Sequence, residues 1–510
     1  MIVPTENIPR YPDSYWLKDI KIPSFNTLDE TIKTEVVIVG GGITGISTAY
    51  FLSQQGKKVV LIDAGKLLAG TTGHTTAKIT VQHSLIYDEI INHFGVEEAK
   101  LYYEANNEAL QFIRNIVTKY DIDCNFETED AYLFTNDDDY IEKLQLEQKA
   151  YEQIGLKHEL VKELPLNIPV KAALKVPNQA NFHPLKYLAT LIEKCVENGV
   201  SFYENTTAMD IEYMKHPAVI VNNDHRIIAE HVIIASHYPF YDLKGLYPTR
   251  MYADRSYIIA MTSEEKYPGG MYISAENPVR SIRSTKTANG EELWLVGGEG
   301  HKVGQGKPMF DHYNALFQYA DLHFNPKQFL YRWSAQDLIT LDHLPYIGPI
   351  TKSEDNIYIA TGFRKWGMTN GTIAGKIISD LIITDGENKY KHVFSPSRKV
   401  TKEAVKNFVK YNTDVAKHLI KGKMEYQTTK ADIKKEEATI VRLRGIRAGV
   451  YRDETDKLHI VNTTCTHLGC EVNWNEAEKT WDCPCHGSRF SYTGEVVEGP
   501  AKENLEVLEE

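Results

Sequence analysis

Continuous apolar runs, helical spacing and strict alternation follow one another along the chain in an order that divides it. Residues 36–39 (VVIV) form an unbroken apolar run before a cluster of glycines, residues 43–56 space their apolar side chains as a helix does, and residues 58–63 (KVVLID) return to an apolar run ending in an acid. Strand, glycine turn, helix and strand make one βαβ unit. From about 84 to 164, and again from 250 to 331, amphipathic helices alternate with strand-like runs such as RSYIIAM and ELWLVGG, which predicts a second sheet roofing a pocket. Beyond Phe394 comes a polar, lysine-rich helical stretch, and from about Ala431 short alternating runs separated by turn residues predict antiparallel strands. The expected fold is a Rossmann-like α/β nucleotide-binding domain with an interleaved α+β substrate domain over 1–395, a helical connector over 396–430 and a small all-β domain over 431–510. Within the first unit the binding part covers about 31–83, 165–240 and 336–395, and the substrate part about 84–164 and 241–335. No internal repeat is present.

Composition narrows what such a chain can serve. Of its 510 residues 42% are hydrophobic, enough for several buried cores. The 57 basic against 69 acidic residues give a formal net charge of -12, which repels phosphate backbones and anionic lipid surfaces, so nucleic acid is excluded as a partner. No apolar stretch approaches the roughly 20 residues of a membrane-spanning helix, and the start has no basic segment followed by an apolar run. A cytoplasmic protein without a transmembrane segment is expected. Four of the six cysteines fall between 465 and 485, unlike a secreted disulfide framework. Cys195 sits in a helically spaced run and is expected in a core, and Cys124 has no ligand-like neighbours.

The front unit carries a dinucleotide grip. Gly40, Gly42 and Gly45 fill a GxGxxG pattern, the first for the tight turn, the second for approach to a pyrophosphate, the third for helix-on-strand packing. Asp63, closing the second strand, is placed to accept hydrogen bonds from ribose hydroxyls. The choice between NAD and FAD comes from distant segments. NIYIATGFRKWGMTNGTIAGKIISDLI (356–382) resembles the closing motif of the D-amino-acid oxidase and glycine oxidase superfamily, and LDHLPYIGP (341–349) resembles its DGLPxIGP stretch. HPLKYLATLIEKCVENGVSFYENTTAMDIE and AEHVIIASHYPF are similar to its helix, adenine-side strand and return strand, so the likeness spans about 34–394. It implies FAD, with Gly362, Gly367, Met368 and Thr369 at the flavin, and Lys365, Asp337 and Trp333 as candidate catalytic residues. LLAGTTGHTTAKIT (67–80) resembles the segment of dimethylglycine and sarcosine dehydrogenases whose His bonds the flavin 8α-methyl; His74 matches it, either as that covalent anchor or as a hydrogen-bonding neighbour.

Two departures bear on substrate. Where members that oxidise amino acids often carry an Arg ahead of the DGLPxIGP stretch, this chain has Asp337, which either draws a cationic amine or pairs with a neighbour such as Arg332. Lys365 falls where glycine oxidases place a second carboxylate-binding Arg, and serves flavin or substrate.

The cysteines belong to the last domain. CTH (465–467) and CPCH (483–486) each offer a Cys and a His, the donor set of a Rieske [2Fe-2S] centre, although Cys2His2 also suits zinc. CTHLGC, CPCHGSRF and GEVVEGPA resemble the Rieske family nearly position by position. The resemblance implies Cys465, His467, Cys483 and His486 as metal ligands, a Cys470–Cys485 disulfide tying their loops, and Ser488 bonding a cluster sulfur. Phe490 replaces the Tyr of high-potential members, which predicts a lower potential.

The whole resembles a bacterial group of glycine-oxidase-like flavoproteins with a C-terminal Rieske domain. The expected activity is hydride transfer from the carbon beside an amine nitrogen to FAD, electrons leaving singly through the cluster to an acceptor the motifs do not name. The alternative is a redox sensor or electron-transfer protein without its own substrate. A Rieske oxygenase is excluded, because 24 residues after His486 cannot hold a mononuclear iron domain.

Overall fold

The computed structural model describes residues 9–18, 20–213, 215–424 and 433–509. Its first layer is an eight-stranded sheet centred on Ile32–Val39, with Val59–Ile62 and Arg226–Ile234 parallel on either side. Ser201–Tyr203 extends it in parallel at one edge, and Glu354–Thr361 at the other, where antiparallel Tyr346–Thr351 closes the path. Val36 to Val39 are buried on both faces, which is why they read as a continuous apolar run and not an alternating one. Helices Ile43–Ser53 and Gly367–Ile383 pack against each other on this sheet. Their approach is so close that a Cβ on Gly375 would lie 2.9 Å from the Thr48 backbone nitrogen. Cys195 and Cys124 are buried in the core, as expected of structural thiols.

The second layer is a nine-stranded sheet in which Met251–Ser263 and Pro326–Thr340 run antiparallel for most of their length. Strand Ala172–Asn181, in a stretch expected for the nucleotide-binding part, pairs with Glu127–Thr135 in this second sheet. The chain therefore crosses between layers before helix Pro184–Glu197 returns it to the first.

The connector forms helix Lys402–Met424, laid along the first two layers. Asn407 Nδ2 donates to Leu341 O at 2.9 Å, Asn412 Nδ2 to Thr249 O at 3.0 Å, and Tyr411 stacks on Tyr252 with centroids 4.1 Å apart. Residues 425–430 of the expected connector, and the expected domain start at 431, lie outside the described residues. The C-terminal domain is two small antiparallel sheets, one of Ala438–Leu443, Ile446–Arg452 and Leu458–Asn462, the other of Asn473–Asn475, Thr480–Asp482, Arg489–Ser491 and Val496–Glu498. It docks through buried polar contacts: Tyr313 Oη donates to Glu478 at 2.7 Å, and Arg255 faces Asp482 at 3.9 Å with both side chains almost fully covered. Among the described residues no helix is long and apolar enough to cross a membrane.

Candidate functional site

A cleft of about 560 Å³ opens where the parallel strands of the first sheet end, the position at which such sheets bind nucleotides. Gly40 holds φ +115°, and a Cβ there would sit 2.5 Å from Ala235 O. A Cβ on Gly45 would sit 1.9 Å from Gly40 O, so the helix abuts the turn through bare backbone. Gly42 lines the cleft at the mouth of helix Ile43–Ser53, whose first amide, Ile43 N, donates to Thr72 Oγ1 at 3.1 Å. Asp63 Oδ2 accepts from the Gly41 amide at 2.7 Å and Oδ1 from Gly65 at 2.8 Å, so the acid braces the turn and presents its remaining lone pairs to the cleft.

The expected flavin-end residues divide. His74, Asp337, Lys365, Gly367 and Met368 line the same cleft. His74 Nδ1 donates to Gly70 O at 2.9 Å, a contact that fixes the tautomer and leaves Nε2 as the nitrogen available to a flavin. Burial lowers its pKa, so the ring is neutral. Gly362, Thr369 and Trp333 stand behind the lining. A Cβ on Gly362 would meet Thr340 Cγ2 at 2.4 Å, Thr369 Oγ1 lies 3.1 Å from buried His83 Nε2, and Trp333 Nε1 donates to His74 O at 2.9 Å. Trp333 thus holds the His74 segment in place without reaching the cleft.

Lys365 Nζ pairs with Asp254 Oδ1 at 2.6 Å, a partner no motif announces. Arg332, the neighbour considered for Asp337, is spent elsewhere, donating to Pro9 O, Arg10 O and Ala477 O. Withdrawal from solvent raises the Asp337 pKa, with nearby Lys365 opposing the shift. Glu498, from the C-terminal domain, lines the cleft as well.

In that domain Cys465 and Cys483 are buried free thiols, and Cys470 and Cys485 form the expected disulfide. The His467 and His486 rings stand 5.1 Å apart at 88°, and the Nδ1 atom of each is buried without a hydrogen-bond partner. Orphaned nitrogens of that kind are what a metal would satisfy. His467 Nε2 lies 2.8 Å from Asp242 Oδ2 across the domain boundary. A carboxylate accepts, so Nε2 carries the proton and the lone pair is left on Nδ1. Burial holds His486 down to about 4, a neutral imidazole. Ser488 Oγ accepts from the Ala501 amide at 3.0 Å and donates its own proton towards Cys465. Phe490 is buried and offers no donor. Tyr238 both lines the cleft and meets His467 edge to face at 6.0 Å, so one side chain spans the distance between the two sites.

This fold, with a nucleotide cleft and a Cys2His2 centre on one chain, defines a flavin-dependent oxidoreductase joined to an iron–sulfur domain. Residues 35–381 match the family described as FAD dependent oxidoreductase, and residues 426–509 the one described as Rieske [2Fe-2S] domain. The chain belongs to the FAD dependent oxidoreductase family and carries a C-terminal Rieske domain, which bind FAD and a [2Fe-2S] cluster. That match retires zinc. Over 499 residues, 98% of either chain, it is 49% identical to a protein of Bacillus subtilis (strain 168) whose name describes a Rieske 2Fe-2S iron-sulfur protein, YhfW. It is 25% identical over 381 residues, 72% of this chain and 88% of the other, to the gamma-glutamylputrescine oxidoreductase of Escherichia coli (strain K12). Glycine oxidase from Geobacillus kaustophilus shares the fold, with a TM-score of 0.60 at 17% identity over 72% of this chain and 99% of that one.

Proposed function

We propose that this chain is a dehydrogenase oxidising the C–N bond of an amine, with electrons leaving singly through the Rieske centre. Bound FAD supplies a two-electron hydride acceptor and the cluster a one-electron carrier. Cys465, His467, Cys483 and His486 would hold the cluster, and the Gly40–Gly42 turn, Asp63, His74, Gly367 and Met368 would hold FAD. The observation that carries the reading is Tyr238: it belongs to the cleft and touches a candidate cluster ligand.

Carboxylates support a cationic substrate. Asp337 and Glu498 line the cleft, and Asp254 stands beside it on Lys365. An ammonium group is drawn to such a site and an α-carboxylate repelled. The amine must lose a proton before its C–H bond can give up hydride, and Asp337, its pKa raised by burial, is suited to receive it. Asp337→Asn is expected to lower kcat/KM for cationic amines by about tenfold, equivalent to about 1.4 kcal/mol, while neutral amines change little. Equal losses on both classes would remove Asp337 from substrate recognition.

The activity itself is tested by anaerobic mixing with a panel of amines. At least one should bleach the flavin absorbance and then produce the Rieske EPR signal at a rate independent of protein concentration. A flavin that stays oxidised across the panel would overturn the dehydrogenase reading in favour of a sensor.

A further inference from the structure

The FAD cleft has a wall that the FAD dependent oxidoreductase match, ending at 381, does not contain. Residues Val496 to Lys502 of the Rieske domain line the same cleft as the Gly40–Gly42 turn, Asp63 and His74. The C-terminal end of this wall is held from two sides. Lys502 Nζ reaches across to donate to Met209 O at 2.5 Å and Phe240 O at 3.4 Å, on the first domain. The Ala501 amide is tied back to Ser488 Oγ at 3.0 Å, in the loop after His486. Farther off, Glu476 Oε1 accepts from the Phe310 amide at 3.0 Å and caps the start of helix Met309–His323, fastening the same domain at a point remote from the cleft.

We propose that FAD is held in a two-domain site, closed by Val496 to Lys502, so that the dinucleotide enters before the Rieske domain docks and leaves only when it lifts. The turn side suits the phosphates of an elongated dinucleotide, and the wall covers it mainly with apolar groups, its one carboxylate, Glu498, lying 3.6 Å from Arg489 of its own domain. The glycine turn and helix mouth offer amides to phosphate oxygens. The opposing wall brings apolar Val496, Val497 and Ala501 to exclude water, with the Lys502 ammonium at its end. Release then requires breaking interface contacts that have nothing to do with the nucleotide, a local opening coupled to ligand exit.

The test is exchange of radiolabelled FAD from the full-length protein into excess unlabelled FAD. It is run on a His74→Ala background so that a covalent bond cannot mask exchange, and the Rieske EPR signal of each protein reports an intact cluster domain. Lys502→Glu turns a donor into a group facing two carbonyl oxygens. Glu476→Lys puts a positive charge on a helix N-terminus, away from the cleft. Exchange is expected to accelerate at least tenfold in the first and several-fold in the second, with the cluster signal retained. Unchanged exchange in both variants overturns the proposal. Acceleration in Lys502→Glu alone also overturns it, because the segment would then be a local contact and not a lid held by docking. Should either variant lose its cluster, hydrogen exchange of residues 496–504 in wild-type protein before and after FAD removal serves in its place: protection lost on removal supports the two-domain site, and protection unchanged rejects it.

Discussion

His486→Ala is expected to yield a yellow protein whose Rieske EPR signal, after anaerobic reduction with dithionite, falls at least tenfold. The imidazole is buried, its Nδ1 has no protein partner, and its neighbour His467 is held in the complementary tautomer by Asp242. Removing it leaves the two thiols of Cys465 and Cys483 with a single imidazole, too few ligands for a two-iron centre. Flavin reduction by an amine should proceed in this variant at the rate of the parent, because His486 does not line the cleft. Loss of both signals together would mean that the cluster organises the flavin site, and the two-step electron path would have to be redrawn. A full-strength signal would remove His486 from the ligand set.

Gly45→Val is expected to purify without flavin. The first atom of any side chain at this position would fall 1.9 Å from the Gly40 carbonyl oxygen, and that oxygen is backbone of the turn itself. Relief requires the helix to move off the turn, at a cost of about 2–3 kcal/mol for overpacking, so FAD affinity drops on the order of 100-fold. Titrating the purified apoprotein with FAD, followed by flavin fluorescence, gives the number. Affinity within threefold of the parent would show that the turn can relax without losing its grip. The Rieske signal is the control for folding, since position 45 is far from that domain in the chain and lies within helix Ile43–Ser53 of the first layer.

What was legible in the sequence is what local geometry dictates. GxGxxG announces itself because only bare backbone tolerates φ +115° at Gly40 and the contact at Gly45. The two Cys–His loops announce themselves because ligand types and spacing are written within a few residues. Asp242 and Tyr238 carried no such mark: the partner of Asp242 is 225 residues away and meets it only through docking. Asp254, facing Lys365, and the Val496 to Lys502 wall were silent for the same reason. Trp333 is a candidate catalytic residue by the family likeness. Along strand Pro326–Thr340 it shares a face with Ala335 and Asp337, which do line the cleft, but it lies one step farther down, beneath His74. Alternation gives the face and not the depth.

The inward-turned imidazoles have a consequence for traffic with the outside. His467 and His486 are almost wholly covered, the first against Asp242 and Tyr238, and only 9% of the His467 side chain reaches solvent. A soluble oxidant approaching the docked chain therefore meets neither ring edge. On the proposed electron path, the docked posture that turns the centre towards the FAD cleft would also shield its rings from acceptors in solution, and parting of His467 from Asp242 would be the step that uncovers them.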